Sequence, residues 1–195
     1  MSLMLSMAAF ALASSISPGP VNIVALSSGA RHGLPASLRH VTGATLGFTL
    51  LLVLIGLGLH EVLVYWPWLT RAIQWAGVLF LLYMAWKLAS DDGRLNADGQ
   101  VKPPSMLYGA TMQWLNPKAW LACVAGMGAF ASNGETLRVW QFALIYLVVC
   151  WLSIASWAWA GTFIRRLMDN AKGLRLLNRS LALLLAACAF YLLLA

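Results

Sequence analysis

The sequence predicts an all-α integral membrane protein with six transmembrane helices. Of its 195 residues, 61% are hydrophobic and only 10% are charged, whereas roughly 25% of the residues in a typical soluble domain are charged. The apolar residues form runs of about 20 residues or more, the length at which a helix crosses a bilayer. Prolines interrupt two of these runs near their centres. Composition, run length and these interruptions are the observations that predict the fold.

The six predicted spans follow one another with short connections and make up a single membrane domain, residues 1–195. They run from 3 to 30, 38 to 60, 68 to 88, 105 to 131, 139 to 163 and 176 to 195. The first span is longer than the apolar core of a signal peptide and lacks a basic start, so we expect it to be retained. The connections leave no room for a soluble domain. Any function therefore has to lie within the membrane.

Lysine and arginine are divided unequally between the predicted sides of the membrane. One side has only Arg71 and Arg138, and the other has Arg31, Arg39, Lys87, Arg94, Lys102, Arg165, Arg166, Lys172, Arg175 and Arg179. Cytoplasmic loops carry the excess of basic residues. We therefore predict that the odd-numbered loops are cytoplasmic and that both termini lie outside, in the periplasm if the protein resides in a bacterial inner membrane. This distribution explains the net charge of +7 without a nucleic-acid-binding face.

A linker at residues 91–104 divides the chain into two halves, residues 1–90 and 105–195. Each half contains three predicted helices, and because three is odd the second half crosses the membrane in the opposite sense. The first span of each half is longer than a straight crossing needs and carries its proline near the centre. We therefore predict two inverted three-helix repeats, in which helices 1 and 4 are broken at mid-membrane.

The first interruption is the segment Ser17-Pro18-Gly19-Pro20-Val21-Asn22. Proline lacks the N–H group that would bond the carbonyl four residues earlier, so the carbonyls of Ser14 and Ile16 are expected to lose their helical partners. Beyond the break, a second half-helix is expected to begin with Ser17 as its N-cap.

The second interruption is Asn116-Pro117-Lys118, in which Pro117 frees the carbonyl of Gln113 and Asn116 is the expected N-cap. Each new helix N-terminus would present free N–H groups and a positive dipole end, which suit a carboxylate. The freed carbonyls would suit an ammonium group. The two interruptions together predict a site for a zwitterionic amino acid, and the alternative is a pair of proline kinks relieved by neighbouring helices.

Lys118 strengthens the prediction of a site, because a lysine at the centre of a span costs roughly 2.5 to 3.5 kcal/mol and usually faces an internal pathway. The alternative is that Lys118 extends to the membrane interface. Asn22 has an alternative as well, a hydrogen bond between helices. The predicted substrate-binding residues are Ser17, Pro18, Gly19, Pro20, Asn22, Gln113, Asn116, Pro117 and Lys118.

Small residues predict close helix packing. The segment Gly43-Ala44-Thr45-Leu46-Gly47 has a small residue at each end of a four-residue spacing, and Gly29 and Gly33 repeat that spacing. Such packing could occur within one chain or between the two chains of a homodimer. The basic pairs Arg31-His32 and Arg39-His40 flank the first predicted cytoplasmic loop, where they could contact anionic lipid or guide an anionic substrate.

Several kinds of chemistry have no residues to support them. No acidic residue lies within a predicted span, which argues against a site for a cationic side chain. Metal-ligand clusters and a phosphate-binding glycine loop are not found, so we expect no metal, no cofactor and no catalytic residues. His40, His60, Glu61 and Lys118 remain possible proton carriers. A passive channel and a membrane-embedded lipid-modifying enzyme remain the alternatives to a transporter.

The sequence resembles the LysE/RhtB superfamily of bacterial amino-acid exporters over its full length. The resemblance rests on Ser17-Pro18-Gly19-Pro20 followed by Asn22, on Gly29, Gly33, Gly43 and Gly47, and on Asn116-Pro117-Lys118. The segment from Ile23 to Ser28 and His32-Gly33 look most like the cysteine and O-acetylserine exporter branch, although Val21 replaces the asparagine that is usual there. The resemblance implies a secondary transporter, driven by the proton gradient, that exports small neutral amino acids or their derivatives by alternating access.

Overall fold

The computed structural model describes residues 2–59, 65–90, 102–131, 135–167 and 171–194, and within these ranges the chain is helical and has no strand. The described ranges contain eight helices, in order: α1 Leu3–Ile16, α2 Pro20–His32, α3 Leu34–Leu54, α4 Pro67–Ala89, α5 Met106–Trp114, α6 Pro117–Phe130, α7 Thr136–Leu167 and α8 Ala171–Leu194. A π-helical turn, Ile55–Leu59, extends α3. The predicted all-α class is confirmed.

By length and composition, two of the described helices could cross a membrane. They are Leu34–Gly58, which is α3 with most of its π-helical turn, and Thr136–Ile164, which is most of α7. The bent pair formed by α1 and α2 is a third candidate if the two helices act as one span. In α4 the apolar helical stretch is shorter, Trp75–Ala89. The predicted number of six spans therefore remains a prediction.

Both predicted interruptions are present as breaks between helices. The first separates α1 from α2 with a bend of 62°. Ser17 and Gly19 each precede a proline, and both are extended, with ψ of 143° and 173°, because a following proline disfavours helical backbone. Helix α2 can therefore begin only at Pro20, its N-cap is Gly19, and the prediction of Ser17 as N-cap was wrong. Ser17 instead caps the C-terminus of α1.

The second break separates α5 from α6 and follows the predicted pattern. Asn116 has an extended backbone with ψ of 105°, Pro117 is the first helical residue, and the Asn116 side chain accepts a hydrogen bond from the backbone N–H of Lys118 at 3.2 Å. The prediction of Asn116 as N-cap is confirmed. Residues 91–101 of the predicted linker and most of the connection at 61–67 lie outside the described residues.

The connection between α2 and α3 is shorter than predicted. Helix α3 begins at Leu34 instead of residue 38, because the chain turns at the single residue Gly33, whose φ is 80°. Glycine adopts this left-handed backbone without steric cost. Gly33 is therefore a turn residue, and the prediction that it serves helix packing was wrong.

Glycines allow two pairs of helices to touch through their backbones. A Cβ atom added to Gly29 of α2 would overlap the Ala158 carbonyl of α7, and one added to Gly43 of α3 would overlap the Met106 carbonyl of α5. At Gly47 an added Cβ would lie 2.7 Å from the backbone of Ala110. These contacts fix α7 against α2 and α5 against α3. Helix α3 also packs against α2 and α7, so these four helices form one packed unit.

Candidate functional site

The side chain of Lys118 joins the two breaks. It extends from the first turn of α6 to the break between α1 and α2, where its Nζ atom donates to the carbonyl oxygen of Ser17 at 2.9 Å, the Ser17 hydroxyl at 2.8 Å and the Pro18 carbonyl at 3.3 Å. Two motifs about a hundred residues apart in the sequence are therefore in direct contact.

The end of α1 is a suitable place for this ammonium group. The C-terminal end of a helix carries partial negative charge, which attracts a cation placed next to it. Gly19 leaves space for the lysine, because an added Cβ atom would lie 3.3 Å from both Cδ and Nζ of Lys118. Lys118 thus lies between the two breaks. This is the position expected if Lys118 belongs to an internal site.

Asn22 holds the two parts of the first broken helix together. Its Nδ2 atom donates to the carbonyl oxygens of Ser15 at 2.8 Å and Ser17 at 2.9 Å. Asn22 is buried on α2, while both acceptors belong to the end of α1. The predicted alternative, a hydrogen bond between separate membrane helices, does not describe these contacts. Asn22 instead stabilises the bend.

The carbonyls predicted to be open to a ligand have donors inside the protein. The Ser14 carbonyl accepts from the Ser17 hydroxyl at 3.1 Å, the Ile16 carbonyl accepts from Nε1 of Trp157 at 3.0 Å, and the Gln113 carbonyl accepts from the Asn116 backbone N–H at 3.1 Å. This detail of the prediction was wrong, because side chains and backbone close to each break replace the lost helical hydrogen bonds. The carbonyls that bind an ammonium group are those of Ser17 and Pro18.

A small polar cavity of about 40 Å³ lies between the two breaks. Of the predicted site residues, Gly19, Asn22, Gln113, Asn116 and Lys118 line it. The other four are placed around it: Ser17 binds Lys118, Pro20 and Pro117 begin α2 and α6, and Pro18 is exposed. A cavity of this size holds one or a few water molecules. It is too small for an amino acid, so the structure shows the site closed.

The cavity wall also includes residues that are not among the predicted substrate-binding residues. They include Ser14, Ser15, Phe48, Tyr146 and Cys150, which come from α1, α3 and α7. Tyr146 and Cys150 lie one turn apart on α7 and so share a face. That spacing was a possible signal, but nothing in the local sequence linked this face to a break on another helix.

Tyr146 is the largest fully buried side chain of this wall. Its hydroxyl and the hydroxyl of Ser14 are 2.6 Å apart, and its ring stacks on Phe48 with 4.3 Å between the ring centroids. The Ser15 hydroxyl lies near Tyr146 and Cys150, but it has no hydrogen-bond partner of acceptable geometry among the described residues. The wall can therefore offer a hydroxyl group to a small polar ligand.

The buried amides of Gln113 and Asn116 complete the site. Nδ2 of Asn116 donates to Oε1 of Gln113 at 3.3 Å, next to the N-terminus of α6. The lining residues include one cation and no carboxylate. Among the described residues, no group of three or more His, Cys, Asp or Glu side chains could hold a metal ion. The site thus combines a cation and a helix N-terminus with hydroxyl and carbonyl acceptors.

Two of the four possible proton carriers lie outside the described residues, His60 and Glu61. His40 is fully buried on α3 with its ring 6.1 Å from that of Tyr108, and neither ring nitrogen makes a hydrogen bond within the part of the chain that the structure describes. The prediction that both Arg39 and His40 could contact lipid was therefore wrong for His40. Arg39, by contrast, is exposed.

Broken helices whose interruptions meet around a polar cavity are characteristic of membrane transporters. A family model described as LysE type translocator matches residues 12–195. The cysteine/O-acetylserine efflux protein of Escherichia coli strain K12 is 32% identical over 183 residues, covering 92% of this chain and 92% of that protein. Proteins of the same name from Shigella flexneri and Shigella sonnei strain Ss046 are similar to the same extent.

No solved structure matches this chain significantly. The chain belongs to the LysE type translocator family, since the family model covers nearly its whole length. The resemblance inferred from the motifs is confirmed, and the apolar helices agree with a membrane protein. The relatives named above are efflux proteins.

Proposed function

We propose that this protein is a secondary transporter that exports small neutral amino acids or their derivatives from the bacterial cytoplasm. The observation that carries the proposal is the contact of Lys118 with Ser17 and Pro18, which joins the two breaks at one polar cavity. The similarity to efflux proteins for cysteine and O-acetylserine supports this class of substrate.

The contacts of Lys118 suggest how a zwitterion would bind. In the closed site, the lysine ammonium fills the place at the Ser17 and Pro18 carbonyls that a substrate ammonium would need. When substrate enters, its ammonium replaces that of Lys118 at these carbonyls. Lys118 and the N-terminus of α6 then bind the substrate carboxylate. The lysine thus holds the empty site together and pairs with the substrate in the loaded one.

The cavity has to enlarge for this exchange, because sites for small molecules usually have volumes of roughly 300 Å³ or more. Alternating access supplies such a change: the two three-helix halves, residues 1–90 and 105–195, move relative to each other and expose the site to one side at a time. In this scheme α1–α2 and α5–α6 each act as one broken span. These two spans and the four helices α3, α4, α7 and α8 make six transmembrane spans. Proton coupling would drive the export.

The proposed orientation places both termini outside the cell. A cysteine at exposed position 2 should then react with a membrane-impermeant thiol reagent in intact cells, and one at exposed position 172 only after permeabilisation. The native cysteines are first replaced by alanine to remove background labelling. The opposite labelling pattern would exclude this orientation.

The proposed activity can be measured as uptake of radiolabelled cysteine and O-acetylserine into everted membrane vesicles. Because everted vesicles expose the cytoplasmic side, an exporter loads them, and a pH gradient that is acid inside should raise the accumulated level severalfold over vesicles treated with an uncoupler. Equal levels with and without the gradient, at the level of simple equilibration, would indicate a passive channel. No uptake of any amino acid would contradict the proposed function.

A further inference from the structure

A second cavity, of about 320 Å³, is lined by residues of α2, α4 and α5 and by the residues that directly precede α5. It lies at the C-terminal ends of α2 and α4 and at the beginning of α5. On the orientation proposed above, all three of these helix ends are cytoplasmic. Lys87, Lys102 and Ser105 of its wall are exposed, so the cavity opens at the cytoplasmic end of the helices.

Helices α2 and α5 line the two cavities one after the other along their lengths. On α2, Val21 lines the cavity at the breaks, and Val24, about one turn closer to the cytoplasmic end, lines the second cavity on the same face. On α5, Tyr108 lines the second cavity and Gln113, farther from the cytoplasmic end, lines the cavity at the breaks. The second cavity therefore lies between the cytoplasm and the site, and a layer of roughly one helical turn separates the two cavities.

His40 of α3 lies in this layer. Helix α3 packs against both α2 and α5. A Cβ atom added to Gly109, the residue after Tyr108, would lie 2.4 Å from the His40 carbonyl oxygen, and the rings of His40 and Tyr108 are 6.1 Å apart. The backbone of Val21 also lies near the His40 ring, without a hydrogen bond of acceptable geometry. His40 is thus next to one wall residue of each cavity.

The ring of His40 is a costly group to bury in this layer. It is fully buried, and neither nitrogen makes a hydrogen bond within the described part of the chain. A buried polar group without a partner loses free energy that a hydrogen bond to water or to a ligand would recover. A permanent barrier would be more stable with an apolar side chain at this position. The unpartnered imidazole therefore indicates a layer that opens.

We propose that the second cavity is the cytoplasmic entrance of the transport path, and that His40 is the polar group that the substrate meets when the layer opens. This inference rests on the proposed export function. A zwitterion that passes from one cavity to the other gives up part of its hydration. A neutral imidazole has one N–H donor and one acceptor nitrogen, which match the carboxylate and the ammonium group of an amino acid.

A thiol reagent tests the entrance. In Lys87→Cys the new thiol lies in the wall of the second cavity, and in Lys172→Cys it lies at an exposed position of α8. Everted vesicles of both variants and of the unmodified protein are treated with a bulky, membrane-impermeant maleimide, which is quenched before uptake of radiolabelled O-acetylserine is measured. Labelling of Lys87→Cys should remove most of its uptake, whereas labelled Lys172→Cys and the treated unmodified protein should transport normally.

The same vesicles separate the entrance from the export function itself. Normal uptake by fully labelled Lys87→Cys would overturn the entrance while leaving the export function in place. Absence of uptake by the untreated, unmodified protein would contradict the export function on which the entrance rests.

The role of His40 is tested with His40→Leu and a control that also removes an unpartnered polar group. Ser153 is buried, its hydroxyl has no partner among the described residues, and it is not among the described lining residues of either cavity. His40→Leu should raise the thermal unfolding midpoint and lower the O-acetylserine uptake rate about tenfold, as loss of a hydrogen bond to a charged group predicts. Ser153→Ala should keep the normal rate. Normal uptake by His40→Leu, or a midpoint that falls together with uptake, would overturn the assignment of His40.

Discussion

At the level of single residues, the site depends on side chains whose partners are far away in sequence. Lys118 and Ser17 were both predicted from their motifs, because prolines and a lysine inside apolar runs are unusual wherever they occur. Tyr146 was missed, since a tyrosine in an apolar helix has no distinguishing local pattern. Its role is visible only once α7 lies against the end of α1, where Tyr146 meets Ser14.

The Tyr146 hydroxyl provides a prediction about stability. Tyr146→Phe removes its hydrogen bond to Ser14, but the Ser14 hydroxyl keeps its bond to the Phe10 carbonyl at 2.6 Å. No buried group is therefore left without a partner, and the cost should be about 1 kcal/mol. Thermal unfolding in lipid nanodiscs should show a slightly lower midpoint for Tyr146→Phe and no change for Tyr83→Phe, whose side chain is exposed. An unchanged midpoint for both variants would mean that the hydrogen bond adds no stability.

At the level of helices, the sequence predicted the positions of both breaks but not all of their details. Proline geometry acts on the neighbouring residue, so the breaks at Pro20 and Pro117 follow from local sequence. The identity of the first cap was wrong because two prolines act in succession there. Gly29 and Gly43 had the spacing of packing residues, but only the structure shows which helix each one meets, since a small residue permits many partners.

The contact between α2 and α7 provides a prediction with a matched control. Gly29→Ala should destabilise the protein by about 1 to 3 kcal/mol, because its methyl group would collide with the Ala158 backbone, which cannot move freely. Gly128→Ala adds the same methyl group on α6, where no atom lies within 4 Å, and should be neutral or slightly stabilising through helix propensity. The unfolding midpoints and expression levels of the two variants test this difference. Equal behaviour would contradict the close approach of α2 and α7.

At the level of the whole molecule, large apolar side chains remain exposed on several helices. Leu144 and Leu152 on α7 and Leu183 on α8 are 69%, 58% and 73% exposed, as expected of surfaces covered by lipid. The composition alone predicted this environment. The closed state of the site could not be predicted from sequence, because the volume of a cavity depends on how the helices pack around it.

The measurement that bears most directly on the proposed site is amino-acid uptake into everted vesicles by two lysine variants. Lys118→Ala removes the ammonium group that binds Ser17 and Pro18, whereas Lys172→Ala removes an exposed lysine of α8. We expect Lys118→Ala to lower the uptake rate about tenfold or more at equal protein level, since a charged hydrogen-bonding group is lost from the site. Lys172→Ala should transport at the normal rate. Normal uptake by Lys118→Ala would contradict the proposal that the two breaks form one transport site.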